Sequence, residues 1–414
     1  MSKKLKIAVF HNLPASGALK ALQDNINILK KNGHYVDVYT TDTLNDSFAP
    51  LDKYADHKFV YPVKKGKLRR FILKTIEKII PSTKFNKESE IFINYNDFKK
   101  TLKQMAEDID RKNYDLILLE QDYLFSVTPV IFKYLKTLKI YYCQQPYRGN
   151  EQIVKKLRRV NIKSSRQKLY EKLFMEKHIK LDVDYAQYTD YMLCNSYFSH
   201  ENLLRYYGIN AQVSYLGINT EQFKPMNLPR KDVVMSVGSI SPHKGFDFII
   251  RSLSKIDKKI RPKFIIVGYA SNRAWVKKIK SLANELNVDL EIISGIPYED
   301  LVELYNEVKL VIFAPYLEAF GLVPLEASAC GTPVIGVKEG GVRETVAHMK
   351  TGLSLDRNEF IFADGITELL TNQELWNKFS EYGPKYVNEF WTLDHAGERL
   401  LNHIYQALEE EKKK

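Results

Sequence analysis

The amino-acid sequence predicts an α/β protein in which a doubly wound parallel sheet occurs twice. The chain has 414 residues, more than one hydrophobic core usually organises, and fits two domains of about 200 residues each. Short apolar runs alternate with longer segments of helical periodicity, as in βαβ units. This alternation is interrupted once, by a polar, proline-bearing segment at residues 215–232. The sequence therefore predicts two Rossmann-like domains joined by a linker.

Each half of the chain contributes its own series of predicted strands. In the first half these are residues 6–10, 35–40, 115–120 and 139–145, and in the second half 233–240, 263–268, 290–295, 309–315 and 332–337. We place the boundary near Phe223, so that residues 1–223 form the first domain and 224–389 the second. The last segment, 390–414, has the pattern of a helix.

Composition excludes several classes of protein. Hydrophobic residues make up 44% of the chain and charged residues 27%, which is typical of globular proteins. The three cysteines lie far apart without metal-ligand spacing, so we expect a reducing cytosol and neither a disulfide framework nor a zinc site. No apolar stretch reaches about 18 residues, so any membrane contact is expected to be peripheral.

Positive charge is concentrated in the first half. The net charge is +12, and residues 1–230 carry 39 Lys and Arg against 24 Asp and Glu. Two segments, 64–84 and 155–180, combine basic residues with an apolar stripe at helical spacing, a pattern typical of membrane-surface helices. An anionic membrane surface is therefore the favoured partner, and a solvated helix face is the alternative. Nucleic acid is not expected, because no nucleic-acid module accompanies the charge.

The segment YLEAFGLVPLEASACGTPVIGVKEGGVRETV, residues 316–346, carries the main candidate site. Pro324 suits the first turn of a helix, and Gly331 suits the position just after its end. The loop EAFGL therefore precedes a helix N-terminus and follows the carboxyl end of a strand, where doubly wound folds bind ligands. The backbone amides of Gly321 and Leu322 are expected to point at an anion there.

Two glutamates flank this predicted anion site. Glu318 lies in the loop, and Glu326 follows eight residues later in the helix. A carboxylate beside a phosphate site can accept hydrogen bonds from the hydroxyl groups of a sugar or a ribose. The ligand implied is therefore a nucleoside diphosphate linked to a sugar. Alternatively, Glu326 only interacts favourably with the dipole in the first turn of its helix.

With its two glutamates eight residues apart, this segment resembles the donor-site motif of retaining family 4 glycosyltransferases. That family has the GT-B fold, in which two Rossmann-like domains face each other across a cleft. Further segments resemble the family in the same order along the chain: 12–22, 31–40, 194–208, 213–225, and VGSISPHKGFDFII at 237–250, which resembles its phosphate loop. The resemblance implies that the first domain binds the acceptor and the second the nucleotide-sugar. It also implies that the C-terminal helix, 390–414, packs back on the first domain.

The resemblance implies roles for individual residues. Glu318 would contact hydroxyl groups of the donor sugar near the reacting carbon, Glu326 would hold the ribose, and Lys244 would neutralise the diphosphate. Such a cation stabilises the charge that the leaving group gains. The other candidates for donor binding are Gly238, Ser239, Phe320, Gly321, Leu322, Ile296 and Gly17.

Two positions depart from the family pattern. Ser239 stands where the phosphate loop usually has Arg, which removes one charge-assisted contact. Gln144 stands where many relatives have a His that contacts the donor sugar, and it can still hydrogen-bond a hydroxyl group but cannot become cationic. Arg148 matches a frequent Arg of the family, and His11 follows the first predicted strand, so both are candidates for the acceptor cleft.

We expect a retaining hexosyltransferase that needs neither a metal ion nor a cofactor. It would move a hexose from a UDP- or GDP-sugar to a lipid-linked or cell-surface glycan, as a cytoplasmic protein at the membrane face. One alternative is a non-catalytic nucleotide-binding subunit, motivated by Ser239 and Gln144. The other is a GT-B nucleotide-sugar epimerase, which requires a set of carboxylate and histidine groups that the sequence does not present.

Overall fold

We describe the protein from a computed structural model. It describes residues 3–14, 16–43, 49–64, 95–122, 128–146, 179–269 and 273–414. The chain divides into two compact units, the first formed by Met1–Tyr215 with Gly397–Lys414 and the second by Leu216–Ala396. Phe223, near which the sequence places the boundary, is buried in the second unit, and its ring centroid lies 5.9 Å from that of Tyr298 and 6.0 Å from that of Tyr305.

The first unit contains a seven-stranded sheet in which all pairs are parallel. Its strands are β1 (Lys6–Asn12), β2 (Tyr35–Thr41), β3 (His57–Tyr61), β4 (Leu116–Asp122), β5 (Lys139–Cys143), β6 (Tyr191–Cys194) and β7 (Gln212–Val213). Their order is β3-β2-β1-β4-β5-β6-β7. The order reverses between β1 and β4. The carboxyl ends of these two strands therefore mark the switch point at which doubly wound folds bind ligands.

The helices of the first unit cover this sheet. Within the described residues they include α1 (Gly17–Lys31), α2 (Tyr95–Arg111) and α3 (Tyr197–Tyr207). The hydroxyl oxygen of Ser16 caps α1 by accepting a hydrogen bond from the backbone amide of Leu19. Helix α2 buries one stripe, formed by Phe98, Leu102, Met105, Ala106 and Ile109. Residues three and four apart lie on one helix face, so these side chains form a continuous contact with the core.

The second unit contains a six-stranded parallel sheet. Its strands are β8 (Lys231–Val237), β9 (Lys263–Val267), β10 (Leu290–Ile293), β11 (Val308–Phe313), β12 (Val334–Val337) and β13 (Gly352–Leu355). Their order is β10-β9-β8-β11-β12-β13, which repeats the order of the first six strands of the chain. The prediction of two doubly wound sheets is therefore confirmed.

The helices of the second unit connect these strands. They include α4 (Phe246–Ser254), α5 (Arg273–Glu285), α6 (Tyr298–Glu307), α7 (Leu322–Ala329), α8 (Val342–Thr345), α9 (Glu359–Thr371) and α10 (Gln373–Phe390). A 3₁₀ turn, Pro242–Lys244, precedes α4. The switch point of this sheet lies between β8 and β11, and both loops that follow these strands carry predicted site residues.

The last helix, α11 (Leu393–Lys412), begins in the second unit, and from Gly397 onward it belongs to the first. Leu400 and Ile404 are buried on its inner face. His403 lies between two groups of the sheet, with Nδ1 at 3.2 Å from the hydroxyl of Tyr191 and Nε2 at 3.3 Å from the carbonyl oxygen of Val213. These contacts join the end of the chain to β6 and β7.

The basic segments 64–84 and 155–180 lie outside the described residues, apart from residues 64, 179 and 180. In the part of the chain that the structure describes, no helix is both long enough and apolar enough to cross a membrane.

Candidate functional site

Two loops of the second unit meet where β8 and β11 end. The loop after β8 carries Lys244, and the loop after β11 carries Glu318. Lys244 Nζ donates a hydrogen bond to Glu318 Oε2 at 2.7 Å, and the two side chains are 18% and 24% exposed. Two side chains predicted for catalysis, 74 residues apart in the chain, are therefore in direct contact.

The loop after β8 begins with Gly238, whose φ is +150°. A Cβ atom at this position would lie 3.4 Å from Cδ of Lys244, so the lysine stem packs directly on the glycine. Ser239 presents a hydroxyl 3.3 Å from that of Ser241, which in turn lies 3.4 Å from Nε2 of His243. Where an arginine is usual in the family, this loop therefore offers small hydroxyl groups.

Helix α7 follows the second loop and begins at Leu322, two residues earlier than the sequence predicts, and Pro324 lies in its first turn, as predicted. Its N-cap residue is Gly321, with φ of +108°, a conformation that L side chains rarely adopt. Because glycine has no capping oxygen, and because the first turn contains no acidic residue, the first amides of α7 form an electropositive end. The helix ends at Ala329, and Gly331 follows with φ of +69°, so the predicted end of the helix is also confirmed.

Glu326 is the fifth residue of α7 and only 7% exposed. The hydroxyl of Tyr305 donates a hydrogen bond to its Oε2 at 2.7 Å. Burial, together with the nearby carboxylate, raises the pKa of Tyr305 well above its usual value, which keeps the phenol protonated as a donor. The first-turn dipole alternative is incorrect, because Glu326 lies beyond the first turn, where the effect of the dipole falls off.

Gly340 and Gly341 support the backbone of Glu318. Gly341 donates its amide to the Glu318 carbonyl oxygen at 2.8 Å. A Cβ atom on Gly340, which has φ of +57°, would lie 2.5 Å from that same oxygen. The two glycines immediately precede α8, and the sequence alone does not show their close approach to the site.

The remaining candidates of the second unit lie around the same edge. Phe320 is buried, with its ring centroid 5.8 Å from that of Trp391. Ile296 is half-buried in the loop after β10. In that loop the hydroxyl of Ser294 donates to the carbonyl oxygen of Gly268, which follows β9, at 2.7 Å. The loops after β9 and β10 thus lie side by side.

Gln144, in the first unit, follows β5 and is 5% exposed. Its Nε2 lies 3.3 Å from Glu120 Oε1, and its Oε1 accepts a hydrogen bond from Asn195 Nδ2 at 3.0 Å. Burial raises the pKa of Glu120 well above its usual value, while the hydrogen bond from Gln144 lowers it. The sequence analysis missed Glu120 and Asn195, although each is a polar residue at the end of an apolar run.

Three other candidates belong to the first unit. His11 lies in β1 and is buried, and its Nδ1 accepts a hydrogen bond from the backbone amide of Leu13 at 3.3 Å. Gly17 is the exposed first residue of α1. Arg148 lies outside the described residues. Over the ranges that the structure describes, no group of three His, Cys, Asp or Glu side chains is arranged to hold a metal ion.

Residues 218–386 match the model of a protein family, glycosyl transferases group 1. The D-inositol 3-phosphate glycosyltransferase of Corynebacterium jeikeium is 30% identical over 190 residues, which are 43% of this chain and 44% of that protein. A GDP-mannose-dependent alpha-(1-6)-phosphatidylinositol monomannoside mannosyltransferase of Mycobacterium tuberculosis is 27% identical over 240 residues, 52% of this chain and 62% of that protein. The chain thus spans about half the length of the curated relatives it matches.

Two solved structures are similar over nearly the whole chain. A glycosyltransferase from Rickettsia africae superposes with a TM-score of 0.70 at 19% identity, covering 98% of this chain and 99% of that one. Anabaena HepE in complex with UDP-glucose gives a TM-score of 0.70 at 16% identity, covering 97% and 100%. The fold is therefore that of the GT-B glycosyltransferases. The match of residues 218–386 to the glycosyl transferases group 1 family confirms the resemblance found in the sequence over that part of the chain.

Proposed function

We propose that the protein is a retaining glycosyltransferase that moves a hexose from a UDP- or GDP-sugar to a lipid-linked or cell-surface glycan at the cytosolic membrane face. The observation that carries the proposal is the contact of Lys244 with Glu318 beside the uncapped N-terminus of α7. A cation and a helix N-terminus together attract a diphosphate, and the carboxylate can accept hydrogen bonds from sugar hydroxyl groups.

Donor binding would rearrange the ion pair. The diphosphate brings negative charge to a place where Lys244 is already neutralised by Glu318, so we expect the lysine to turn toward the phosphate oxygens. The freed carboxylate of Glu318 then accepts hydrogen bonds from hydroxyl groups of the sugar. Glu326, held by Tyr305, is proposed to accept hydrogen bonds from the ribose.

In the proposed reaction the bond from the anomeric carbon to the phosphate oxygen breaks while the acceptor oxygen bonds to the same face of that carbon. The departing phosphate oxygen takes the proton of the acceptor hydroxyl, so no enzymic nucleophile takes part. The negative charge grows on the phosphate during this step, and preorganised donors stabilise it most where water is excluded. We propose that Lys244 and the amides of α7 supply this stabilisation without a metal ion or cofactor.

The names of relatives support the choice of substrates. One relative is GDP-mannose-dependent and one solved structure contains UDP-glucose, which supports either donor. The relatives named for D-inositol 3-phosphate and phosphatidylinositol monomannoside support an acceptor that carries phosphate. The basic segments 64–84 and 155–180 are proposed to meet such an acceptor at an anionic membrane.

Thermal unfolding with UDP, GDP, ADP and TDP tests the proposal, since a ligand of the native state stabilises it by about 2.7 kcal/mol at a hundredfold excess over Kd. We expect UDP or GDP to raise the unfolding temperature, and Lys244→Met to abolish the shift. Lys231→Met is the matched control, because Lys231 forms an ion pair of the same 2.7 Å length with Glu307 at the opposite end of β8. A protein that none of the four nucleotides stabilises would contradict the proposal.

A second test concerns the sugar. Glu318→Gln is expected to keep the nucleotide shift but to lose transfer and hydrolysis of the nucleotide-sugar, because a neutral amide is a weaker acceptor for hydroxyl groups. A non-catalytic subunit remains the second candidate, favoured by the serine hydroxyls in place of an arginine. It predicts a wild-type protein that binds nucleotide but releases none from any nucleotide-sugar.

A further inference from the structure

Arg357, which the sequence analysis did not single out, is a mostly buried cation of the second unit, with 13% of its side chain exposed. It follows β13 and precedes α9. Its Nε and Nη2 bind the two carboxylate oxygens of Glu339 at 2.8 Å each. Nη1 also donates to the carbonyl oxygen of Ala314 at 2.9 Å, and Nη2 to that of Pro315 at 2.7 Å. Such a fork fixes the plane and direction of the guanidinium.

Aromatic rings enclose the same guanidinium. Its Cζ lies 3.9 Å from the ring centroid of Tyr316 and 5.2 Å from that of Phe248. Cations are attracted to such ring faces, and the attraction increases as water is removed. Arg357 therefore contacts three consecutive residues, 314–316, through two carbonyl groups and one ring.

Two of these residues, Ala314 and Tyr316, also contact the neighbours of Lys244. The amide of Tyr316 donates to the carbonyl oxygen of His243 at 2.7 Å. A Cβ atom on Gly245 would lie 2.1 Å from the carbonyl oxygen of Ala314, so the two backbones are in direct contact there. The segment that Arg357 holds thus supports the backbone on each side of Lys244, and it leads within two residues to Glu318.

Glu339 connects Arg357 to Glu318 by a second route. It immediately precedes Gly340 and Gly341, and the amide of Gly341 donates to the carbonyl oxygen of Glu318 at 2.8 Å. The guanidinium therefore joins the loops after β11 and β12, and both loops fix the backbone of Glu318.

We infer that Arg357 is a positioning residue that sets where Lys244 Nζ and the Glu318 carboxylate lie relative to each other. This inference rests on the proposed function, in which these two groups bind the diphosphate and the sugar. A displacement of about 1 Å in groups that orient a reactant costs roughly a hundredfold in rate. A lysine at position 357 cannot replace the fork, because an ammonium is a compact charge and cannot reach the Glu339 carboxylate and two carbonyl oxygens together.

The test compares Arg357→Lys with wild type in the hydrolysis of UDP-glucose and GDP-mannose, followed by release of nucleotide. We expect kcat/KM to fall about 10- to 100-fold with the donor that the wild type uses. Arg357→Ala is expected to fall at least as far, and millimolar guanidinium is expected to restore part of its rate, because the free ion can occupy the site of the lost group.

Arg261→Lys is the matched control. Arg261 is also in the second unit, and its guanidinium binds the carbonyl oxygens of Ser254, Ile256 and Asn287 at 2.7 to 2.9 Å, in the turns before β9 and β10. The unfolding temperature of Arg261→Lys is expected to fall as that of Arg357→Lys does, but its kcat/KM is expected to stay that of the wild type. Hydrogen exchange gives a readout without activity: peptides spanning 316–320 and 339–341 should exchange faster only in Arg357→Lys.

The outcomes separate the two proposals. The positioning role alone is overturned if wild type turns over a donor and Arg357→Lys has the same kcat/KM. It is also overturned if the kcat/KM of Arg261→Lys falls as far as that of Arg357→Lys. A rate of Arg357→Ala that guanidinium leaves unchanged also counts against it. Wild type that neither binds nor hydrolyses any of these nucleotides and sugars overturns the proposed function and this inference with it.

Discussion

Tyr305 and Glu326 form a hydrogen bond of 2.7 Å in which the tyrosine hydroxyl is the donor and both partners are buried. Tyr305 comes from α6 and Glu326 from α7, so the bond joins two helices at the candidate donor site. A hydrogen bond to a charged group contributes more to stability than one between two neutral groups.

Replacing Tyr305 with Phe removes that donor and leaves the ring. We expect the free energy of unfolding to fall by about 1.5–3 kcal/mol, the usual contribution of a hydrogen bond to a charged group. The nucleotide shift should also shrink, because Glu326 loses its orientation. Urea unfolding and the thermal shift with UDP and GDP measure both effects. Tyr382→Phe, at a half-buried tyrosine of α10, is the control, and an equal loss there would argue against the role given to the bond.

Gly340→Ala tests the support beneath Glu318. The substitution combines a left-handed φ of +57° with a Cβ position 2.5 Å from the Glu318 carbonyl oxygen, so we expect a loss of about 2–4 kcal/mol in unfolding free energy. Gly295→Ala is the matched variant, because its φ is +72° but no atom lies within 4 Å, so only about 1–2 kcal/mol of backbone strain is expected. Equal urea midpoints for the two variants would contradict the close approach.

Glu120 predicts a pH dependence of stability in the first unit. Burial raises its pKa in the folded protein well above 4.5. Between the pKa of the unfolded chain and that of the folded protein, folding takes up a proton, so the free energy of unfolding falls as the pH rises through this window. Each pH unit inside this window lowers the free energy of unfolding by at most about 1.4 kcal/mol.

Glu120→Gln keeps an acceptor for Gln144 but is neutral at every pH. We therefore expect the variant to gain stability relative to wild type as the pH is raised from 5 to 8, measured by urea unfolding across that range. Glu107→Gln, on an exposed part of α2, serves as control and should follow wild type. Parallel curves for Glu120→Gln and wild type would show that the carboxyl group does not titrate in this way.

Membrane binding is predicted from charge alone. Residues 64–84 carry eight Lys and Arg against one acidic residue, and each basic residue near an anionic leaflet is worth about 1 kcal/mol. We expect the protein to float with vesicles that contain phosphatidylserine and not to float with vesicles made only of zwitterionic lipids. Replacing the eight basic residues with Gln should abolish flotation. Flotation that is indifferent to both the lipid charge and the substitutions would contradict the prediction.

Much of the fold is readable from the sequence because buried parallel strands are continuous apolar runs. All nine predicted strands exist, but β3, β6, β7 and β13 were missed. β3 is an edge strand with Val60 half exposed, and β7 has only two residues, so neither gives a long apolar signal. β13 begins with a glycine that lies against β12, and periodicity does not report such an approach.

The candidate site was predictable where its motif is local. The loop with Glu318, the helix with Glu326 and the end at Gly331 follow from residue type and spacing within 16 residues. Arg357, Tyr305 and Glu120 were not found, because each acts through a partner 18 or more residues away in the chain. Only the strand order brings such partners together.

The division of the chain also bears on the order in which the protein forms during synthesis. Leu216–Ala396 is continuous, whereas the first unit needs Gly397–Lys414 in addition to the first 215 residues. The ribosome therefore delivers every residue of the second unit before residues 397–414, which belong to the first unit. Although domains generally fold from the N-terminus onward, the half that begins the chain is here the last to be completed. Until residues 397–414 are made, the Tyr191 hydroxyl of β6 and the Val213 carbonyl oxygen of β7 cannot contact His403.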